Sequence, residues 1–149
     1  NGAKVIEYNC RFGDPETQVV LPLLETDIMD IIEAVWEEKL DTLDIKWSDK
    51  SCACVVMASG GYPEKYETGK VISGLDENGQ CEGAFVYHAG TKLEDGKFLT
   101  AGGRVLGITA YGDTLKEALD TAYKAVDTIS FEKAHYRHDI GKKALSALK

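Results

Sequence analysis

Apolar residues recur along this chain with two different periods, and the change of period organises it. Ile28, Ile31, Ile32, Val35 and Trp36 follow the i, i+3, i+4, i+7, i+8 spacing of a one-sided helical face. Thr26 stands where such a helix takes its N-cap, and Glu37, Glu38 and Lys39 close it. A second stripe runs through Leu115, Ala118, Leu119, Ala122, Tyr123, Val126 and Ile129, and predicts a helix packed on a core. It follows Thr114-Leu115-Lys116-Glu117, a capping box in which Thr and Glu satisfy each other's backbone N–H. Between the stripes the pattern belongs to strands. Residues 52–58 form a continuous apolar run stopped by Gly60-Gly61-Tyr62-Pro63, and further strands are predicted at 70–73, 83–89, 97–100 and 104–111. The short turns at 76–79, 94–96 and 102–103 favour antiparallel pairing.

The first fifty residues read as strand, helix, helix. Residues 4–10 predict a strand. Asp14-Pro15 predicts a helix start with Asp14 as N-cap and Pro15 at the first helical position, and Pro22 should end or kink that helix. Leu43, Ile45 and Trp47 alternate and can make a short strand; residues 139–149 can make a terminal helix. The order of elements is that of an α+β fold, with a boundary near residues 45–51. Asn1-Gly2 directly before a strand is a hairpin signal without its first strand, as though the sequence were cut from something longer.

Composition narrows the partners. A 44% hydrophobic fraction in 149 residues supports one cored domain, or one domain plus part of another. The net charge of −8 argues against nucleic acid or an anionic membrane as a general partner, but local Arg, Lys and backbone N–H groups can still hold a small phosphorylated molecule. No apolar run approaches the roughly 18 residues of a membrane span, and no signal-peptide pattern is present. Cys10, Cys52, Cys54 and Cys81 include no CxxC pair; they read as buried, reduced thiols of a cytoplasmic protein.

Candidate chemistry gathers at Glu7, Asn9 and Arg11. At strand spacing they share one face, roughly 6–7 Å between neighbours. A carboxylate and an amide oxygen are hard ligands suited to Mg²⁺, which takes few protein ligands and leaves its other positions to water and phosphate. Arg11 can grip a carboxylate or phosphate oxygen. The plain alternative is the solvent face of an edge strand. For Gly102-Gly103-Arg104, an anion-binding nest with a guanidinium stands against a tight turn with an exposed Arg. His88 reads as a half-buried structural residue. His135 and His138 lack a third metal ligand nearby.

The run Glu7-x-Asn9-x-Arg11-Phe12-Gly13-Asp14-Pro15-Glu16-Thr17-Gln18 resembles the last strand and following helix of the ATP-grasp domain in the phosphoribosylamine–glycine ligase family. The segments 58–63, 88–91, 100–106 and 136–141 resemble, in order, the signatures of that family's C-terminal domain. The resemblance implies that residues 1–45 end an ATP-grasp domain and that 46–149 form a mostly antiparallel, single-hybrid-like β domain with packed helices. It implies ligation of glycine to 5-phosphoribosylamine with ATP, through a glycyl phosphate, in purine biosynthesis. Glu7 and Asn9 would then hold Mg²⁺ (or Mn²⁺). Arg11 would act on the glycine carboxylate or acyl phosphate, Gly13 and Asp14 would border the substrate, and Gly102, Gly103 and Arg104 would lie near the phosphoribosyl phosphate. The remaining nucleotide-binding elements would lie upstream in the same enzyme, so the 149 residues alone should be inactive. Two other readings stay open: a binding module that closes a partner's small-molecule site, and a related ATP-grasp ligase of purine synthesis.

Overall fold

The computed structural model describes residues 2–8 and 10–147. The element order is α1 (Thr17–Val20), α2 (Ile28–Trp36), β1 (Ser51–Ala58), β2 (Phe85–His88), β3 (Thr91–Glu94), β4 (Lys97–Thr100), β5 (Arg104–Gly112), α3 (Leu115–Thr128) and α4 (Lys142–Ala147). It is an α+β arrangement with two antiparallel sheets. One has the order β1-β5-β2, and the other pairs β3 with β4.

The three-stranded sheet forms around the two most apolar runs. Cys54 faces Thr109, Val55 faces Ile108 and Val56 faces Gly107 across the β1–β5 ladder, so alternate residues go to opposite faces. Val55, Met57, Val86, Leu106 and Ile108 point to one face and are almost wholly buried there with Ala122, Ala125 and Val126 of α3. The predicted stripe of α3 is therefore the lid of the main core. Its capping box is formed in both directions: Glu117 N donates to Thr114 Oγ1 at 3.2 Å, and Thr114 N donates to Glu117 Oε2 at 3.1 Å. Leu145 and Ile140 extend this packing around Leu119.

The opposite sheet face carries Cys52, Cys54 and Val56, and the segment around α1 lies against it. After α1 the chain makes a single 3₁₀ turn, Leu21–Leu23, with Pro22 inside it, as a proline that ends an α-helix should. Residues 23–26 then run beside 46–48: Ser48 N donates to Leu23 O at 2.8 Å and Glu25 N to Lys46 O at 3.0 Å.

Several predicted elements differ. Residues 4–10 form no strand among the described residues, which are exposed and irregular there. A strand exists only through its ladder, and among the described residues no strand lies alongside to supply one. Asp14 is not an N-cap; α1 begins at Thr17 behind Glu16, because the Asp14 carboxylate is engaged elsewhere. The cap of α2 is Asp27, which accepts from Met29 N at 2.8 Å, whereas Thr26 Oγ1 accepts from Lys46 N at 2.7 Å. Residues 70–73 make only single bridges, Val71 to Leu99 and Ser73 to Ser130. Gly69 and Gly74, both at positive φ, turn the chain on either side of them. Of Leu43, Ile45 and Trp47, only Trp47 pairs, in a single bridge to Leu24. Strand β3 had no apolar signature to announce it: three of its four residues, Lys92, Leu93 and Glu94, are exposed.

Candidate functional site

Arg104 opens β5, and its guanidinium reaches back ninety residues to the turn before α1. Nη1 donates to the main-chain carbonyl of Asp14 and Nη2 to its carboxylate Oδ2, each at 2.9 Å. The other carboxylate oxygen, Oδ1, accepts from Gln18 Nε2 at 2.9 Å. Thr17 closes the turn by donating its N–H (3.0 Å) and its hydroxyl to Gly13 O. Both charged side chains of the clamp are partly solvated, 39% and 53% exposed, so the ion pair adds no more than about 1 kcal/mol to stability. Its consequence is positional: it fixes where the Gly13-Asp14-Pro15 turn sits on the sheet.

The loop that delivers Arg104 is built by close backbone packing. Ser59 N donates to Gly103 O and Ser59 Oγ to Gly102 O, each at 2.8 Å. Ala101 N donates to Gly90 O at 2.7 Å, and Gly90 N to Arg104 O at 2.8 Å. A Cβ on Gly103 would collide with the Tyr62 ring, and a Cβ on Gly90 would come within 2.6 Å of Gly102 Cα. These glycines are demanded by contact between the loops at 59–62, 90 and 102–103. Signatures far apart in sequence thus form one junction.

Two cavities flank the clamp. One, of about 310 Å³, has an apolar floor of Cys54, Val56 and Ala58, with Tyr62, Arg104 and Arg137 at its edge. The other, of about 610 Å³, lies between the 12–22 segment and Tyr87, His88 and Tyr111. Gln18 Oε1, at the wall of the second, is buried without a hydrogen-bond partner among the described residues.

Other candidates resolve individually. Glu7 and Arg11 are exposed, and Asn9 lies outside the described residues. Glu7 makes no hydrogen bond or ion pair among the described residues, which leaves a hard oxygen donor available, the chemistry Mg²⁺ requires. His88 is exposed rather than half-buried, yet both ring nitrogens are used: Nε2 donates to Gly79 O and Nδ1 accepts from Thr91 Oγ1, each at 2.9 Å. That makes it structural. His135 pairs through its backbone with Ala58, while the His138 ring lies 4.6 Å from that of Tyr136. Among the described residues no three His, Cys, Asp or Glu side chains converge. Contrary to the reading of all four thiols as buried, Cys10 is exposed, with nothing packed over its segment among the described residues, and Cys52, Cys54 and Cys81 are only half-buried. Burial, with Cys54 close by, pushes the Cys52 thiol up to about 11, and burial also raises Cys54. No helix among the described residues is long and apolar enough to cross a membrane.

Sequence reasoning found Asp14 and Arg104 separately but missed their pairing, along with the parts played by Gln18 and Ser59. The only signal for those two was their place inside quoted motifs.

Residues 52–143 match a family model described as the phosphoribosylglycinamide synthetase C domain. A phosphoribosylamine–glycine ligase of Caldanaerobacter subterraneus subsp. tengcongensis is 55% identical over 139 residues, covering 93% of this chain and 33% of that protein. A bifunctional purine biosynthetic protein of Dictyostelium discoideum is 50% identical over 145 residues, 97% of this chain and 18% of its own length. The crystal structure of phosphoribosylamine–glycine ligase from Thermotoga maritima is similar with a TM-score of 0.70 at 34% identity, over 91% of this chain and 32% of that one. The chain spans about a third of the length of the monofunctional relative.

Proposed function

Because the chain belongs to the phosphoribosylglycinamide synthetase family, we propose that it is the C-terminal third of a cytoplasmic ligase that joins glycine to 5-phosphoribosylamine with ATP in purine biosynthesis. The observation that carries this is the 55% identity to a phosphoribosylamine–glycine ligase over 93% of the chain. Residues 1–45 are the end of its ATP-grasp domain, and 46–149 are its single-hybrid-like C-terminal domain. The upstream remainder of the same enzyme supplies the rest of the nucleotide site.

The reaction has two steps. A glycine carboxylate oxygen takes the γ-phosphoryl group of ATP and ADP leaves; the amine of phosphoribosylamine then attacks the acyl carbon and phosphate leaves. Glu7 and Asn9 would hold Mg²⁺ or Mn²⁺, which would supply positive charge to neutralise the nucleotide phosphates. Arg11 orients the glycine carboxylate and stabilises the charge of the acyl phosphate, with Gly13 bordering the substrate.

In a full-length enzyme carrying this chain, Glu7→Gln should lower turnover at least about 100-fold, the scale of losing one group that stabilises transition-state charge. The unfolding temperature should move little, since Glu-to-Gln keeps the side chain's shape and breaks no contact among the described residues. Near-parental turnover would remove Glu7 from the metal site. The isolated 149 residues should form no glycinamide ribonucleotide.

A further inference from the structure

The run from Glu7 to Arg11 leads directly into a turn that the described structure grips. No strand pairs with residues 2–8 or 10, and no backbone–backbone hydrogen bond between described residues occurs before Gly13. Three residues beyond Arg11, Asp14 is gripped through both its main-chain carbonyl and its carboxylate by Arg104, and Gln18 holds the remaining carboxylate oxygen. Arg104 is itself placed by a loop whose carbonyls are bound by Ser59 and whose Gly103 is closed over by Tyr62.

We infer that Arg104 is a positioning residue: acting through Asp14, it fixes on the β1–β5–β2 sheet the turn from which the Glu7-to-Arg11 segment departs, instead of binding the substrate's phosphate. This rests on the proposed ligase function. Two features oppose a phosphate contact. Each terminal guanidinium nitrogen spends one of its two N–H groups on Asp14, which fixes the plane of the fork, and the Asp14 carboxylate beside them repels a dianion. A planar fork that meets a carbonyl and a carboxylate together suits holding a turn, and a lysine's single ammonium would keep only part of it.

The test is a mutant cycle in a full-length enzyme carrying this chain, with kcat and the KM of each substrate measured for Arg104→Ala, Asp14→Ala, their double variant and Arg104→Lys. Misplacing the segment by about an ångström should cut kcat about 10- to 100-fold in Arg104→Ala and in Asp14→Ala alike. The KM for phosphoribosylamine should stay within about twofold, the double variant should be no worse than either single one, and Arg104→Lys should recover part of the loss. If a truncation variant fails to fold, Asp14→Asn and Arg104→Lys carry the same comparison. A tenfold or greater rise in that KM for Arg104→Ala with Asp14→Ala near parental would overturn the inference, as would losses that multiply in the double variant. Glu7→Gln in the same background separates the two ideas. If it abolishes turnover while the clamp variants match the parent, only the positioning role fails; if the parent forms no glycinamide ribonucleotide, the ligase reading fails first.

Discussion

Two helices of this chain carry equally clear apolar stripes and meet opposite fates. In α3, Ala118, Ala122 and Val126 are 0–1% exposed against the sheet. In α2, Ile28, Ile32, Val35 and Trp36 remain 37%, 52%, 56% and 88% exposed. The same division runs through the whole molecule. Residues 51–140 enclose a core, while residues 2–47 contribute no fully buried residue among those described. A stripe states which face of a helix favours burial, at about 25 cal/mol per Å² of apolar surface removed from water. It does not state what covers that face. In α3 the cover is β1 and β5; for α2 the proposed ligase assigns it to the upstream part of the enzyme.

The sharpest way to break this comparison is to truncate, in the 149-residue chain, a buried residue of the sheet beneath α3 and a stripe residue of α2. Ile108→Ala, at a site with no exposure, should cost about 2–5 kcal/mol in urea unfolding. Ile32→Ala should cost less than about 0.5 kcal/mol, because its side chain is already half in water. Equal losses at the two sites would mean that α2 is covered in the isolated chain, for instance by a second copy. The helix caps give a smaller version of the same contrast. Thr114→Ala removes the reciprocal cap of a helix bound to the core and should cost about 1 kcal/mol of global stability. Asp27→Ala removes the cap of α2 and should fray that helix, seen as faster amide exchange over 28–36, while the unfolding midpoint barely moves.

The legible parts of the fold were those whose stabilising contacts are local or repeat along one element. The apolar run of β1, the stripe and capping box of α3, and the breaking of α1 before Pro22 all follow from near neighbours in sequence. Residues 4–10 carry strand-forming residues, but a ladder requires a second strand that nothing local supplies. Asp14 has the composition of an N-cap, and only a guanidinium ninety residues away turns it into the anchor of a turn. Of the candidate site, Asp14 and Arg104 were picked out by their motifs. Their pairing was not, since no periodicity connects a turn before one helix to the first residue of a late strand.

The cysteines test the division at its finest grain. Cys10 sits on the exposed side of it, and Cys52 and Cys54 lie in the sheet. Burial favours the neutral thiol, so the Cys52 thiol rises from 9.0 to about 11. In the unfolded chain the same thiol ionises at its ordinary value. Its contribution to stability is therefore complete below pH 9 and is lost as pH climbs from 9 toward 11, where the unfolded state releases the proton first. Two measurements follow. Iodoacetamide at mildly alkaline pH should label Cys10 well before Cys52, by peptide mass mapping, because only thiolate reacts, Cys10 is exposed, and Cys52 is half-buried with its thiol pushed up to about 11. A Cys52→Ser variant should flatten the part of the alkaline stability loss between pH 9 and 11 that the thiol supplies. Labelling of Cys52 as fast as Cys10 would mean that the outer face of the sheet opens readily. The segment around α1 would then be as loosely held as the residues before it, and the boundary between the two regions would move from residue 50 to the sheet itself.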